Sequence, residues 1–297
     1  MNFTDKPVLV AGDLMRDIVV HPKGEMRRGS DQAADIRIVP GGSAANQAAW
    51  LAHFGVPVAL LSRVGADDIQ ALAAELRGFG IESLLVADPD AHSGKLVCIV
   101  DKDGERSFYS DRGASLKLCK ADAETLDLSR FGQVCLSGYL FFSPAGRELG
   151  IHLIEQCARL GIPLLLDPSS VGFLQDMGIE SFLMAAEGAA YLLPNEDEAR
   201  VLTGFDDRWA QLKHLRERFA NVIIKCGRAG AIADLEGERF TVPSPELDVI
   251  DTTGAGDAFL AGFLAALRAG DPAPLALDRA ARAGAGACMV AGGRPVF

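Results

Sequence analysis

No Cys-x-x-Cys pair occurs in this sequence: the six cysteines stand singly at 98, 119, 135, 157, 226 and 288, several inside apolar runs such as Val134-Cys135-Leu136. That is the pattern of reduced core thiols in a cytoplasmic protein, and it argues against a disulfide framework. Histidine is scarce, with five residues and no pair spaced i, i+4, which disfavours a zinc site. Positive charge is short as well. The 29 Lys and Arg against 40 Asp and Glu leave a net charge of −11 and no basic stripe, which disfavours a nucleic-acid binder or a protein of anionic membrane surfaces. An anionic substrate would need local basic residues to overcome this field. No apolar run reaches membrane-spanning length, and the polar segment 1–7 leads straight into a strand without the pattern of a signal peptide. A dinucleotide fingerprint is missing too. Gly284-x-Gly286 lies in the last helical run without a preceding strand or a spaced acid, so a Rossmann-type dehydrogenase is set aside.

What is present is an ordinary globular composition, 49% hydrophobic and 23% charged over 297 residues. The length suits one large α/β domain or two small ones. No linker, low-complexity stretch or internal repeat divides the chain, so 1–297 reads as a single domain. Short β-branched or leucine-rich runs at 8–12, 58–63, 134–137, 164–167, 191–194 and 222–226 alternate with amphipathic stretches at 44–54, 68–79, 145–160, 197–203 and 207–219. This alternation predicts a parallel sheet covered by helices on both faces. Two stretches, about 17–40 and 93–113, break the pattern. They carry strand-like runs at 18–20, 36–39 and 96–100, and 101–105 reads as a hairpin turn. They form either one small inserted β-sheet or a pair of surface hairpins.

The chemistry concentrates at Asp251-Thr252-Thr253-Gly254-Ala255-Gly256-Asp257-Ala258-Phe259, which runs into an apolar helix over about 256–268. Gly254 and Gly256 let the backbone approach a ligand closely, and the helix points its positive end at the same spot. An acid at 257 suits a group that handles a proton while an anion passes, as phosphoryl transfer requires. Taken alone, the same residues would also serve as a turn and a dipole-complementing Asp. A second glycine turn, Pro40-Gly41-Gly42-Ser43-Ala44-Ala45-Asn46, opens the first long helix and offers the Asn46 amide to a polar ligand or to solvent. After the first strand, Asp13 and Asp17 are carboxylates able to accept bonds from vicinal hydroxyls, with turn capping an equal option for Asp13. Asn195-Glu196-Asp197-Glu198 has the makings of an N-cap. Lys225 precedes a Gly227-x-x-Gly230 turn, for which a plain hairpin is the default.

Together these strings resemble the ribokinase-like (PfkB) family of sugar and nucleoside kinases, over essentially the whole chain from Gly12 to Gly293. The resemblance implies a three-layer, Rossmann-like α/β fold with a mostly parallel central sheet. Its small inserted β-sheet would act as a lid over the substrate and as the contact of a homodimer. ATP and Mg²⁺ are implied, with K⁺ beside the anion-hole loop in some relatives. By position, Asp257 becomes the catalytic base and Gly254, Ala255 and Gly256 the anion hole. Asp13, Asp17, Gly41, Gly42 and Asn46 fall to the sugar. Asn195 and Glu198 organise Mg²⁺ and its waters, while Asn195, Lys225, Gly227, Gly230 and Thr252 fall to ATP. Asp167-Pro168-Ser169 takes a supporting place near the site, and Arg112 is either a surface arginine or a contact to a substrate or product phosphate. Two positions depart from the family pattern. Met15 stands where ribokinases carry a polar residue, which points away from ribose itself. Ala283 stands where many members place an Asn near adenine. The expectation is a kinase for a primary hydroxyl of a sugar or sugar derivative. The alternatives are a nucleoside kinase and a sugar-binding protein that has kept the fold without turnover.

Overall fold

The structure, a computed structural model, describes residues 5–25, 28–101 and 106–295. In chain order the strands are β1 (Val8–Ala11), β2 (Met15–Pro22), β3 (Ala34–Gly41), β4 (Val58–Gly65), β5 (Glu82–Asp88), β6 (Gly94–Val100), β7 (Arg106–Asp111), β8 (Gln133–Ser137), β9 (Leu164–Asp167), β10 (Tyr191–Leu192), β11 (Asn221–Lys225), β12 (Ala231–Leu235) and β13 (Glu238–Val242). The helices are α1 (Ser43–His53), α2 (Ile69–Gly78), α3 (Pro144–Leu160), α4 (Val171–Met177), α5 (Ile179–Ala186), α6 (Glu196–Thr203), α7 (Arg208–Leu215), α8 (Ala255–Arg268) and α9 (Ala273–Ala287).

Nine strands form one sheet in the order β13-β12-β11-β10-β9-β8-β1-β4-β5. It is parallel except for the last hairpin, where β12 runs antiparallel to both neighbours. Strands covered on both faces read as unbroken apolar runs, and β1, β8 and β9 are buried throughout. Side chains alternate across the sheet. Val8 and Val10 of β1 join a core with α1, α2, α8 and α9, while Leu9 and Ala11 join a second core with α3, α5, α6 and α7. This is the three-layer α/β arrangement that the alternation predicts.

Local chemistry sets the helix ends. The Ser143 hydroxyl accepts from Gly146 N, Pro144 occupies the first turn, and Gly161 closes α3 in the left-handed conformation at φ 66°. Beyond the expected elements the chain forms β5, β12, β13, α4 and α5. β5 and β13 are half-exposed edge strands, and the apolar run of β12 is interrupted by Asp234, which pairs with Arg216. The two short helices span only seven and eight residues, too few for a legible period.

The two stretches that break the alternation meet in a separate four-stranded sheet, β3-β2-β6-β7. β2 pairs antiparallel with β3 and parallel with β6, and β6 pairs antiparallel with β7. Of the turn read at 101–105, residues 102–105 lie outside the described residues. The register puts Asp17, Leu96 and Ser110 in one row facing the main sheet, and Ile38, Ile18, Val97 and Tyr109 in a row on the opposite face.

Candidate active site

In an open parallel sheet, ligands collect where the strands end and the following helices begin. Here the ends of β1, β9 and β11 and the starts of α1 and α8 surround a cavity of about 990 Å³, closed on one side by the inner face of the small sheet. A second cavity of about 910 Å³ adjoins it and shares Asn195, Lys225, Thr252 and Gly256.

Asp257 sits at the floor of the first cavity, in the first turn of α8. Three side chains of α1 hold its carboxylate: Ser43 Oγ donates to Oδ1 at 2.7 Å, Gln47 Nε2 to Oδ1 at 3.3 Å and Asn46 Nδ2 to Oδ2 at 3.3 Å. Burial pushes the carboxyl up to about 7, and the charge of Asp167 adds to the rise. A carboxylate so poised can take a proton from a hydroxyl near neutrality. Gly254 caps α8 at φ 77°, and a Cβ there would come within 2.4 Å of the Gly293 carbonyl oxygen. A Cβ on Gly256 would stand 3.1 Å from Lys225 Nζ, so this bare backbone leaves the ammonium its place. Ala255 lines the second cavity.

Lys225 Nζ donates to Asp167 Oδ2 at 2.5 Å. Desolvation pulls the amine down, but Asp167 and Glu198 outweigh it and hold the lysine protonated above its ordinary range. Asp167, to which the resemblance assigns only a supporting place, stands on the cavity wall itself. Asn195 and Glu198 form a reciprocal capping box at the start of α6. Glu198 Oε2 accepts from Asn195 N and Oε1 from its Nδ2, both at 2.8 Å, while Asn195 Oδ1 accepts from Glu198 N. Burial and the nearby Asp167 push the Glu198 carboxyl up. Among the described residues no three His, Cys, Asp or Glu side chains converge as a direct metal cage. The carboxylates around Lys225 nevertheless fit a hydrated magnesium ion, which keeps most of its waters and needs few protein ligands.

Asp13 and Asp17 part company. Asp13 Oδ2 and Oδ1 accept from Ser43 N at 3.1 Å and Ala44 N at 3.3 Å, so this carboxylate caps α1 while lining the cavity. Asp17 is 8% exposed and its Oδ1 is buried without a donor. Burial and then Asp13 push its carboxyl up to about 6. A buried acceptor left unpaired costs about 1–3 kcal/mol, which a ligand hydroxyl would recover. Gly41 and Gly42 make this packing possible: a Cβ on Gly41 would lie 2.0 Å from Asp17 Oδ1, and Gly42 turns at φ 91° against the Asp13 backbone.

The second cavity is lined by Gly227, Gly230, Thr252, one face of α9 (Ala281, Gly284 and Ala285) and Cys288 just past its end. The Gly227–Gly230 turn joins two antiparallel strands, so it is both hairpin and cavity wall. Ala283 points elsewhere, against Gly262 of α8, so the residue absent there takes nothing from this wall.

Several site residues carry no separate signal in the sequence. Ser43 and Gln47 lie inside and just beyond the first glycine turn, one helical turn apart, which is the only hint of their shared task. Arg294 has none. Its Nε donates to Asn46 Oδ1 at 3.2 Å, its Nη1 to Glu75 Oε1 at 2.7 Å and its Nη2 to the Gly41 carbonyl at 3.0 Å. By occupying the Asn46 oxygen it turns the amide nitrogen toward Asp257. Arg106 reaches Asp251 and Thr253 from the small sheet.

A sheet of this order, with a carboxylate and an uncapped helix start between two joined cavities, has the architecture of the α/β small-molecule kinases. The sequence matches pfkB family carbohydrate kinase over residues 5–295, and the chain belongs to that family. It is 28% identical to deoxyribokinase of Salmonella typhi over 86% of this chain and 84% of that protein. With fructokinase of Klebsiella pneumoniae it shares 30% identity over 88% and 84%. A solved probable sugar kinase from Rhizobium etli covers 100% of this chain and 96% of its own at a TM-score of 0.89 and 23% identity, a likeness of fold. The protein is thus a phosphotransferase of the carbohydrate kinase class. No helix among the described residues is long and apolar enough to cross a membrane.

Proposed function

We propose that the protein transfers the γ-phosphoryl group of ATP to a primary hydroxyl of a sugar or sugar derivative, with Asp257 as general base. The carrying observation is the Asp257 carboxylate itself, clamped by Ser43, Asn46 and Gln47 at the start of α8, where the two cavities join. The acceptor lies among Asp17, Gly42 and Asn46, and the nucleotide among Gly227, Gly230, Thr252 and the α9 face. The hydroxyl gives its proton to Asp257 as its oxygen bonds to the γ-phosphorus. The bond from that phosphorus to the β,γ-bridging oxygen breaks, and ADP leaves with the electron pair. Lys225 and the positive end of α8 meet the charge that develops on the phosphoryl oxygens. Mg²⁺, when bound, neutralises phosphate charge, and Glu198, Asn195 and Asp167 would hold its waters. A nucleoside acceptor is the second reading, supported by the apolar patch of Met15, Leu96 and Phe108 on the cavity wall.

The reading takes 1–297 as one kinase unit with 17–40 and 93–113 as its lid, and extends to assembly. The outer face of the small sheet supports a homodimer formed through it: Ile36, Ile38 and Tyr109 are 63%, 69% and 66% exposed. Light scattering on Ile38→Glu should then give a monomer where the parent gives a dimer. Six free thiols support a reducing, cytoplasmic setting. The test of the activity is an ADP-release screen with ATP and Mg²⁺ against pentoses, hexoses, sugar acids, sugar phosphates and nucleosides, with Asp257→Asn beside the parent. One acceptor whose turnover vanishes in the variant establishes the reading; near-parental turnover in Asp257→Asn sinks it.

A further inference from the structure

Three cations line the acceptor cavity, Arg106, Arg112 and Lys225. Lys225 is paired with Asp167, and Arg106 with Asp251 and Thr253. The Arg112 guanidinium has neither hydrogen bond nor ion pair among the described residues. It is 6% exposed, and its Nε is fully buried with no acceptor. The guanidinium lies over Tyr139, 4.5 Å from the ring centroid, with the Phe173 ring at 5.8 Å. A ring face offsets only part of what a cation loses on leaving water, so this arrangement lacks an anion. The backbone holds the arginine there: its carbonyl accepts from Ser115 N and abuts Gly94, where a Cβ would come within 3.0 Å.

The same cavity carries the unpaired Asp17 Oδ1. The two groups do not satisfy one another, so what completes the cavity must bring a donor to one and an anion to the other. Resting on the kinase reading, we propose that Arg112 is the anion-recognising residue of the acceptor site, and that the acceptor is a polyhydroxylated compound bearing a carboxylate or a phosphate. In a chain of net charge −11 this one desolvated guanidinium supplies the local positive field that such a substrate requires.

The test uses matched acceptors that each keep a primary hydroxyl: ribonate against ribitol, gluconate against glucitol, and fructose 6-phosphate against fructose. ADP release gives kcat and KM for each, and calorimetry without nucleotide gives binding. The parent enzyme should favour the charged member of at least one pair by roughly ten- to hundredfold in kcat/KM, mainly through KM. Which pair responds separates carboxylate from phosphate. In Arg112→Gln that ratio should fall toward one, and Arg112→Lys should restore part of it, with melting curves confirming that both variants fold. Equal use of charged and neutral members by the parent overturns the proposal without any variant. So does an Arg112→Gln loss of kcat that is the same for both members, which would assign the guanidinium to the transferring phosphoryl group. If no pair releases ADP, transfer to these acceptors falls; calorimetric binding of an acid that is lost in Arg112→Gln would still uphold Arg112, and its absence would overturn the proposal.

Discussion

Two glycine-rich turns open two helices onto the same cavity, and they are finished in opposite ways. At α1, after Gly41-Gly42, the first N–H groups are already taken by Asp13, a carboxylate of the protein's own. At α8, after Gly254, no side chain caps the helix, and the positive end is left facing the cavity. The same local pattern therefore yields a neutralised scaffold in one place and an open, positive helix end in the other. The difference lies in what the rest of the chain brings to each turn. Because α1 needs no further anion, its next residues, Ser43, Asn46 and Gln47, are free to grip the carboxylate of α8.

The sharpest way to break this division is Asp257→Asn, which keeps the shape at α8 and removes the carboxylate proposed as base. Turnover should fall by about two to four orders of magnitude with acceptor and nucleotide binding retained. Gly254→Ala attacks the open terminus itself. Between the strained φ and the contact with Gly293, it should cost about 1–3 kcal/mol in urea unfolding and roughly a hundred- to thousandfold in kcat. A ligand-independent stability loss with kcat unchanged would show that the α8 terminus has no part in transfer.

A pH series sharpens the contrast further. The Asp257 and Asp17 carboxyls stand at about 7 and about 6 against an ordinary 3.8. Acids raised by folding contribute stability that is full below the unfolded value and is lost as pH rises through the folded one, so melting temperature should decline between about pH 4 and 7. A base must be ionised, so kcat/KM should climb toward neutrality as stability falls, and Asp257→Asn should flatten part of the stability decline. Parallel rather than opposed profiles would contradict the assignment.

At the filled terminus the effects are smaller. Asp13→Ala should cost about 0.5–2 kcal/mol as a lost cap and raise the acceptor KM, with kcat affected less than in Gly254→Ala. Arg294→Gln frees the Asn46 oxygen, and it should lower kcat about tenfold with a shifted acidic limb, since hydrogen bonds from a charged donor contribute about 1.5–3 kcal/mol. A variant that only melts earlier, with its pH profile unmoved, would leave Arg294 a purely structural tie.

Residues such as Gly254, Gly256, Asp257 and Lys225 were legible because their chemistry is local: a turn, a helix start and a strand end each announce themselves within a few positions. So were β1, β8 and β9, whose double burial leaves unbroken apolar runs. What sequence could not show is convergence. Ser43 and Gln47 meet Asp257 across 214 and 210 positions, and Arg294 meets Asn46 across 248. Arg112 has the look of a surface residue until Tyr139 and Phe173 close over it from distant elements. β12 hides behind Asp234, whose charge is answered by Arg216 just past the end of α7 and by Arg239 across the hairpin on β13.

The tie made by Gly293 and Arg294 has a consequence for how the site can open. Trp50 of α1 donates to the Gly293 carbonyl, Gly254 packs on the same residue, and Arg294 seats the Asn46 amide. When this segment lifts away, the Asp257 carboxylate keeps its neighbours but loses the lock that orients them. Local opening at 293–294 therefore loosens α1 and α8 from one another without unfolding either helix, and the site can lose its alignment at far less cost than global unfolding.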